Sequence, residues 1–335
     1  MKVSIVVATR NCEKHVRDLM ESLARIVDEN IEVIVVDSSE DSTPSIVSEY
    51  DFVKLVRLEK LGLNVARNRG VREATGDVII FTDCDCIVPE KWVENILEVF
   101  RRENAHVVGG SALNFYKGEY LITDYANEGI WSIMPIYKEK IVFDKTSFRK
   151  VRLPPGNNLS FKRKVFEKGY FFDEEYSGGS DEIDLLWRLC RDGFKIVVDP
   201  SVYIYHKHRT SLLELFKQEY RYGMGHYIFF KKNKDSPLAW PAAIGSYVFA
   251  LFLTALLISY FIFPLAFLVI GSFLSIVTIE VYFVLFLYYL KRKRLSLKKS
   301  IIYPVLDIIC HALYLFGFLY SNIKDVIRRI AYRGK

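Results

Sequence analysis

Two long stretches without charged side chains constrain this chain most. Trp240 to Phe263 contains no Asp, Glu, Lys or Arg, and Leu265 to Leu290 contains only Glu280, whereas charged residues make up 26% of the whole chain. Each stretch exceeds the roughly 20 apolar residues that an α-helix needs to cross a bilayer. The two stretches therefore predict transmembrane helices that form a hairpin around Pro264.

A third apolar stretch, Ile301 to Ile323, is interrupted by Asp307 and His311. If the first two stretches form a hairpin, the basic block from Lys291 to Lys299 returns to the cytoplasm, as the positive-inside rule requires. A complete third span would place the basic C-terminal tail outside, so we expect this stretch to be re-entrant or interfacial. Asp307 and His311 are costly at bilayer depth, and they mark either a polar contact between helices or a lipid head-group site.

The first part of the chain alternates short apolar runs with amphipathic segments. Runs rich in Val and Ile predict buried strands, and a helical apolar period between them predicts helices. Strands are expected at Val3–Thr9, Ile31–Val36 and Val53–Leu58, and helices at Lys14–Val27 and Leu63–Ala74. This alternation predicts an α/β fold whose mostly parallel, Rossmann-like sheet has right-handed crossovers.

A fourth apolar run, Val78 to Thr82, ends on Asp83 and Asp85. Ligands bind beyond the carboxyl ends of parallel strands, and side chains two residues apart on an extended segment point the same way. Two neighbouring carboxylates repel each other unless a cation lies between them, so the pair favours a divalent ion with oxygen ligands. The alternative is that the two residues only cap a helix beginning at Pro89.

The chain has no glycine-rich phosphate loop after its first strand. Neither Gly-x-Gly-x-x-Gly nor Gly-x-x-x-x-Gly-Lys-Ser/Thr occurs there, so a nucleotide's phosphate charge must be met in another way. A divalent ion at Asp83 and Asp85 would do this, with assistance from Arg67 or Arg69.

Four segments carry a resemblance to a known family: Val6–Asn11, Val35–Thr43, Gly62–Gly70 and Asp83–Asp85. In order and spacing they resemble the inverting family 2 glycosyltransferases of GT-A fold. The resemblance implies that Asp37 and the loop of Thr9 and Asn11 hold the nucleotide base. It also implies that Asp83 lies near the ribose and that Asp85 binds Mn²⁺ or Mg²⁺ on the sugar diphosphate. By itself, Asp37 is typical of an ordinary turn or helix-capping residue.

Asp181 and Glu182 open a predicted amphipathic helix after a glycine-rich loop. Inverting transfer needs a carboxylate that removes the proton of the acceptor hydroxyl. The family usually has Glu-Asp here, with the second carboxylate as base, whereas this chain has Asp-Glu. Position favours Glu182, with Asp181 as the alternative, and both residues could instead simply be stabilised by the helix dipole.

Two later segments extend the resemblance. Related enzymes often place a histidine on the metal or diphosphate where this chain has His206, although a surface histidine at a strand end fits equally well. Gln218, Arg221 and Tyr222 resemble the Gln-x-x-Arg-Trp motif of membrane-bound polysaccharide synthases, with Tyr in place of Trp. The motif implies that Arg221 holds the diphosphate and that Tyr222 stacks on the acceptor.

The predicted organisation has four parts: a catalytic domain at residues 1–210, an amphipathic interface helix and linker at 211–236, transmembrane helices at 237–323, and a basic tail at 324–335. Residues 111–153 have no clear period, and they predict either an acceptor-facing excursion or an irregular core. Met1-Lys2 leads directly into the first strand, so we expect a cytoplasmic catalytic domain on a multi-pass membrane anchor. All five cysteines are expected to be free thiols.

The sequence therefore predicts a membrane-anchored glycosyltransferase. It is expected to move a sugar from a UDP- or GDP-sugar to a polyprenyl- or dolichyl-linked acceptor. Basic blocks beside apolar spans favour contact with anionic membrane lipid rather than nucleic acid. A processive polysaccharide synthase is the alternative enzyme, and a nucleotide-binding membrane scaffold without catalysis is the alternative from another class.

Overall fold

The computed structural model describes residues 1–59, 62–131, 134–148 and 152–333. The chain forms two compact units. The first contains residues 1–127 and 132–208, and the second contains residues 128–131 and 209–335. The functional division predicted at residues 210, 236 and 323 stays a prediction.

The first unit contains one mixed β-sheet. Within the described residues its strands are β1 Val3–Thr9, β2 Ile31–Asp37, β3 Val53–Arg57, β4 Val78–Asp83, β5 Cys86–Ile87, β6 Val107–Asn114, β7 Ile141–Phe143, β8 Leu159–Lys162 and β9 Ile196–His206. Their order is β3-β2-β1-β4-β8-β6-β9-β5, and β7 also pairs with β9.

The predicted parallel sheet is confirmed for the first four strands. Strand β1 runs parallel to both β2 and β4, and β2 runs parallel to β3. The register places Thr9 beside Asp37 and Ala8 beside Asp83, so their carboxyl ends meet at one edge. Strand β8 then inserts antiparallel between β4 and β6.

Helices cover this sheet. Those in or leading out of the first unit are α1 Val16–Ala24, α2 Thr43–Val47, α3 Leu63–Glu73, α4 Trp92–Glu103, α5 Leu121–Glu128, α6 Lys164–Glu167 and α7 Asp181–Arg191, with a 3₁₀ turn at Gly156–Asn158. Helix α1 buries the apolar face that its sequence period predicts, at Val16, Leu19, Met20 and Leu23. These side chains join one core with the Val and Ile residues of the parallel strands.

The second unit is helical. It contains α8 Leu212–Lys232, α9 Ala239–Ile262, α10 Pro264–Leu287 followed by a π-helical turn at Tyr288–Arg292, and α11 Leu297–Arg333. Three of these helices, α9, α10 and α11, are long and apolar enough to cross a membrane. Every residue of α10 remains at least partly exposed, as expected of a helix whose apolar side chains face lipid. The expectation that the third stretch is re-entrant or interfacial stays a prediction.

The charged residues of the third stretch make contacts inside this unit. Asp307 is 1% exposed, and it accepts a hydrogen bond of 2.5 Å from the hydroxyl of Tyr289. The ring of His311 stacks on Trp131, with 5.1 Å between the ring centroids. Of the two alternatives for Asp307, the structure thus shows a polar contact between helical segments.

Helices α8 and α11 approach each other at two glycines. A Cβ atom added at Gly223 would lie 1.9 Å from the carbonyl oxygen of Tyr314, and one at Gly317 would lie 2.0 Å from that of Tyr220. Only glycine permits such a backbone contact. Protein therefore covers part of α8, the helix that was expected to lie in the membrane interface.

Gly317→Val is expected to separate these helices, because its side chain has no space beside α8. Overpacking of this kind lowers the free energy of unfolding by about 1–3 kcal/mol. Gly271→Val on α10 is the matched control, since among the described residues nothing beyond the helix's own backbone lies within 4 Å of a Cβ added there. Thermal unfolding in detergent measures the difference. Equal melting temperatures for the two variants would contradict the close crossing.

The expectation of five free thiols is wrong for one pair. Cys12 and Cys84 form a disulfide, and their Cα atoms lie 6.3 Å apart. The two residues follow β1 and β4, which are neighbours in the sheet, so the fold brings together positions that are remote in sequence. Cys86, Cys190 and Cys310 keep reduced thiols, and all three are buried.

Candidate active site

Asp37 organises the loops that follow β1 and β2. Its carboxylate is fully buried, and it accepts 2.6 Å hydrogen bonds from the hydroxyls of Thr9 and Ser39. It also forms an ion pair with Arg57, the residue opposite Asp37 in the β2–β3 register. A prediction of the register between β2 and β3 would have identified Arg57 as the partner of Asp37. The predicted contact of Asp37 with a nucleotide base stays a prediction.

Asn11 joins the same two loops. It adopts a left-handed backbone conformation with φ 53°, which asparagine tolerates better than most residues. Its backbone N–H donates to the Ser39 hydroxyl at 2.7 Å, and its side-chain oxygen accepts from the Glu40 N–H at 3.0 Å. Thr9, Asn11 and Asp37, predicted as one binding group, therefore form one connected loop structure.

Arg67 lies between two carboxylates from distant parts of the chain. Its guanidinium donates to Asp181 at 2.8 Å and lies 3.5 Å from Asp83, and its carbon lies 5.2 Å from the centre of the Phe172 ring. The side chain is only 4% exposed. Arg67 was predicted to meet phosphate, and the structure shows that it links the end of β4 to the start of α7.

Helix α3 also fixes the segment that leads to α7. Asn64 donates to the carbonyl of Asp173 at 2.9 Å. Asn68 donates to the carbonyl of Phe172 at 2.8 Å and accepts from its N–H at 3.1 Å. The two asparagines of the Gly62–Gly70 segment thus anchor the backbone that precedes α7. Together with Arg67, they bring Asp181 and Glu182 to the same edge as Asp83.

Arg67→Met is expected to destabilise the first unit, because it leaves the Asp83 and Asp181 carboxylates without their common countercharge. Removing one partner of a buried ion pair costs about 3–5 kcal/mol. Arg69→Met is the matched control, since that half-exposed arginine pairs with Glu73 on the helix surface, where a pair contributes about 0–1 kcal/mol. Denaturant unfolding compares the variants. Equal stability would show that Arg67 does not hold this edge together.

A second cluster lies where β5 pairs with β9. Cys86 is opposite His206 in this antiparallel pair, and Nε2 of His206 lies 3.2 Å from Oδ1 of Asp85. Asp85, Cys86 and His206 each place one ligand atom within 4.8 Å of the others. The structure therefore brings together the predicted metal ligands Asp85 and His206. The alternation of side chains along a strand does not position Asp85, because β4 ends at Asp83 and the chain turns through Asp85.

The chemistry of the cluster suits a hard divalent cation. Burial, reinforced by Asp85 and Asp83, raises the pKa of the Cys86 thiol well above its ordinary value, and a neutral thiol is a poor ligand. Burial also raises the pKa of the Asp83 carboxyl. The charge of Arg67 lowers this pKa, and the charge of Asp85 raises it further. A cation would relieve the repulsion between these carboxylates. The carboxylate oxygen of Asp85 and the imidazole nitrogen of His206 suit Mn²⁺ or Mg²⁺. Asp83 as a further ligand stays a prediction.

Glu182 differs from its neighbour Asp181. Burial, followed by the charge of Asp181, raises the pKa of Glu182 to about 8. The Asp181 carboxylate is itself engaged by Arg67. A carboxylate whose pKa approaches the working pH is a better proton acceptor than an ordinary one. The geometry thus favours Glu182 over Asp181 as the candidate base.

The predicted acceptor residues lie on α8 in the second unit. The side-chain amide of Gln218 donates to the hydroxyl of Tyr222 at 2.8 Å, because residues four apart share a helix face. Arg221 is exposed on the same helix. The roles of Gln218, Arg221 and Tyr222 toward acceptor and diphosphate stay predictions.

The first part of the chain matches a known protein family. The model of Glycosyl transferase family 2 matches residues 4–169. The chain is 26% identical over 226 residues to the pre-mycofactocin glycosyltransferase of Mycobacterium tuberculosis. This alignment covers 66% of this chain and 46% of that protein. The chain thus spans less than half of that relative.

A second relative matches over nearly its whole length. The "Dolichyl N-acetyl-alpha-D-glucosaminyl phosphate 3-beta-D-2,3-diacetamido-2,3-dideoxy-beta-D-glucuronosyltransferase" of Methanococcus voltae is 23% identical over 336 residues, 96% of this chain and 97% of that protein.

The fold has a counterpart among solved structures. The mannosyltransferase PcManGT from Pyrobaculum calidifontis, in complex with GDP-Man and Mn²⁺, aligns with a TM-score of 0.59 and 19% identity, over 91% of this chain and 86% of that one. At this identity the likeness establishes the fold alone, and it confirms the predicted GT-A fold. The family match over residues 4–169, together with this fold, identifies a glycosyl transferase family 2 domain in this chain.

Proposed function

We propose that this protein transfers a sugar, with inversion, from a UDP- or GDP-sugar to a polyprenyl- or dolichyl-linked acceptor at the cytoplasmic face of a membrane. The reaction would serve protein glycosylation or cell-surface glycan assembly. One observation carries the proposal. Arg67 joins Asp83 to Asp181, so the candidate base Glu182 lies at the sheet edge where the central strand ends at Asp83 and the chain turns through Asp85.

The helices and one relative support the choice of acceptor. Three helices are apolar enough to cross a membrane, and tethering an enzyme to the bilayer raises its effective concentration toward a lipid-linked substrate. The printed name of the M. voltae relative describes a dolichyl-linked sugar phosphate as its acceptor. We infer the same class of acceptor for this chain.

Asp83, Asp85 and His206 are the residues that would hold a divalent cation. When bound, Mn²⁺ or Mg²⁺ would neutralise the negative charge of the leaving diphosphate. The chain's own contribution is position. Strand β9 holds His206 opposite the turn after β4, and Arg67 fixes Asp83 from the other side.

Glu182 performs the proton transfer in this proposal. Its carboxylate takes the proton of the acceptor hydroxyl while that oxygen bonds to the anomeric carbon, and the bond to the diphosphate breaks on the opposite face. One such displacement inverts the anomeric configuration. Asp181 stays in its ion pair with Arg67 and repels a second negative charge, which increases the basicity of Glu182.

The pH dependence of activity follows from this role. A carboxylate base acts when deprotonated, so kcat/KM should rise with pH through the pKa of Glu182, about 8, instead of the ordinary 4.5. Asp181→Asn removes the like charge, so it should move this limb to lower pH. Values of kcat/KM measured across pH for the wild type and the variant test the direction of this shift. A wild-type limb near 4.5, or a shift to higher pH in the variant, would contradict the assignment.

A processive polysaccharide synthase is the second candidate. The spacing of Gln218, Arg221 and Tyr222 on one helix favours it, and it predicts a polymer rather than a single lipid-linked sugar. The non-catalytic scaffold is not retained, because the chain carries a glycosyl transferase family 2 domain.

Calorimetry of the full-length protein in detergent tests donor and metal together. A panel of UDP- and GDP-sugars is titrated with and without Mn²⁺, and the anomeric configuration of the transferred sugar is read by NMR. We expect one donor to bind tightly only with the metal, and the product to be inverted. Metal-independent binding of every donor, or a retained configuration, would overturn the proposal.

A further inference from the structure

Two further side chains, the buried His208 and the half-buried Asn127, continue a series of contacts from His206. Nδ1 of His206 lies 2.7 Å from Nδ1 of His208, and Nε2 of His208 lies 3.3 Å from Oδ1 of Asn127. His206 and His208 are 7% and 5% exposed. Because Nε2 of His206 faces Asp85, the four side chains form one series of contacts that starts at the candidate metal site.

The hydrogen bonds of Asn127 assign the orientation of its amide. The nitrogen donates to the carbonyls of Ala112 at 2.9 Å and Met134 at 2.7 Å, and the oxygen accepts from the N–H of Asn114 at 2.7 Å. A rotated amide would oppose donor to donor and acceptor to acceptor. The atom that Asn127 presents to His208 is therefore an acceptor, so Nε2 of His208 carries the hydrogen.

This orientation matches the tautomer that His206 needs when it binds a cation. A neutral imidazole has one N–H and one lone pair. A cation at Nε2 of His206 would take the lone pair of that nitrogen, so Nδ1 would carry the hydrogen and donate it to Nδ1 of His208. His208 would then donate from Nε2 to the Asn127 oxygen. His208 and Asn127 thus complete the hydrogen bonds of the tautomer whose Nε2 lone pair faces Asp85, 3.2 Å away.

We propose that His208 and Asn127 are positioning residues that set the tautomer of His206 and make its Nε2 available to a divalent cation beside Asp85. The inference rests on the proposed role of His206 as a metal ligand. It assigns to both residues a part in metal affinity although neither would touch the metal.

Nitrogen NMR of the wild-type protein tests the tautomers without any substitution. Full-length protein labelled with ¹⁵N-histidine, in detergent and saturated with Mg²⁺, should show His206 protonated only at Nδ1 and His208 only at Nε2. In His208→Phe, His206 loses its acceptor and should shift toward the Nε2–H form, which can donate to Asp85. Wild-type His206 protonated at Nε2 would overturn the proposal.

Mn²⁺ affinity, measured by electron paramagnetic resonance, gives the second readout. Loss of an outer-shell partner weakens metal binding by about 10–100-fold, so we expect this loss in His208→Phe. His106→Phe is the control, because that half-buried histidine accepts from the N–H of Lys195 at the other end of β9, and its affinity should not change.

His206→Ala distinguishes a failure of the proposed metal site from a failure of the positioning role of His208. Unchanged Mn²⁺ affinity in this variant would remove His206 from the proposed metal site, and the positioning role would fail with it. Weakened affinity in His206→Ala together with wild-type affinity in His208→Phe would leave the metal site standing and overturn only the positioning role.

Discussion

Glu182→Gln is expected to lower kcat by about 10²–10⁴-fold, the range that a positioned general base contributes. The amide keeps the shape of the side chain but cannot accept the proton of the acceptor hydroxyl. Donor binding should persist, because Glu182 acts on the acceptor and not on the nucleotide. Single-turnover kinetics and donor calorimetry on the same preparation measure the two quantities separately.

Two variants control this experiment. Glu167→Gln changes an exposed glutamate on α6, and its activity should equal that of the wild type. Asp181→Asn should retain more activity than Glu182→Gln, since Asp181 pairs with Arg67. Full activity in Glu182→Gln and none in Asp181→Asn would transfer the role of base to Asp181.

Asp85→Ala is expected to abolish metal-dependent donor binding. The variant removes the carboxylate that lies 3.2 Å from His206, and the loss in Mn²⁺ affinity should exceed the roughly 100-fold upper range for outer-shell residues. Calorimetry with Mn²⁺, with and without donor, measures both equilibria.

Asp51→Ala provides the comparison, because Asp51 is an exposed aspartate in a turn, and it should bind metal and donor as the wild type does. Equal donor affinity in Asp85→Ala and wild type would remove Asp85 from the metal site.

Local patterns predicted the parallel half of the sheet closely. Strand β1 has the predicted bounds Val3–Thr9, and α3 ends one residue before the predicted Ala74. Strand β1 is a largely apolar run, and α3 lies between the glycines Gly62 and Gly76. The later strand β9 is less regular, because its register with β6 shifts between Gly109 and Ser111.

Contacts between segments that are distant in sequence could not be predicted from local patterns. The bond from Arg67 to Asp181 joins α3 to α7, and the pairing of His206 with Cys86 joins β9 to β5. Each depends on how strands are ordered in the sheet, which no local period encodes. Helix α8 shows the same limit, because its contact with α11 depends on Gly223 and Gly317, whose spacing in sequence carries no signal.

Transfer into lipid is the most direct test of the central claim. The protein is reconstituted in liposomes with polyprenyl-phosphate-linked acceptors, Mn²⁺ and labelled UDP- or GDP-sugars, and label in the organic extract is counted. We expect label from one donor to enter the lipid, and to disappear with EDTA or in Glu182→Gln. Label that accumulates in a water-soluble or insoluble polymer while the lipid stays unlabelled would contradict the account and favour a processive synthase.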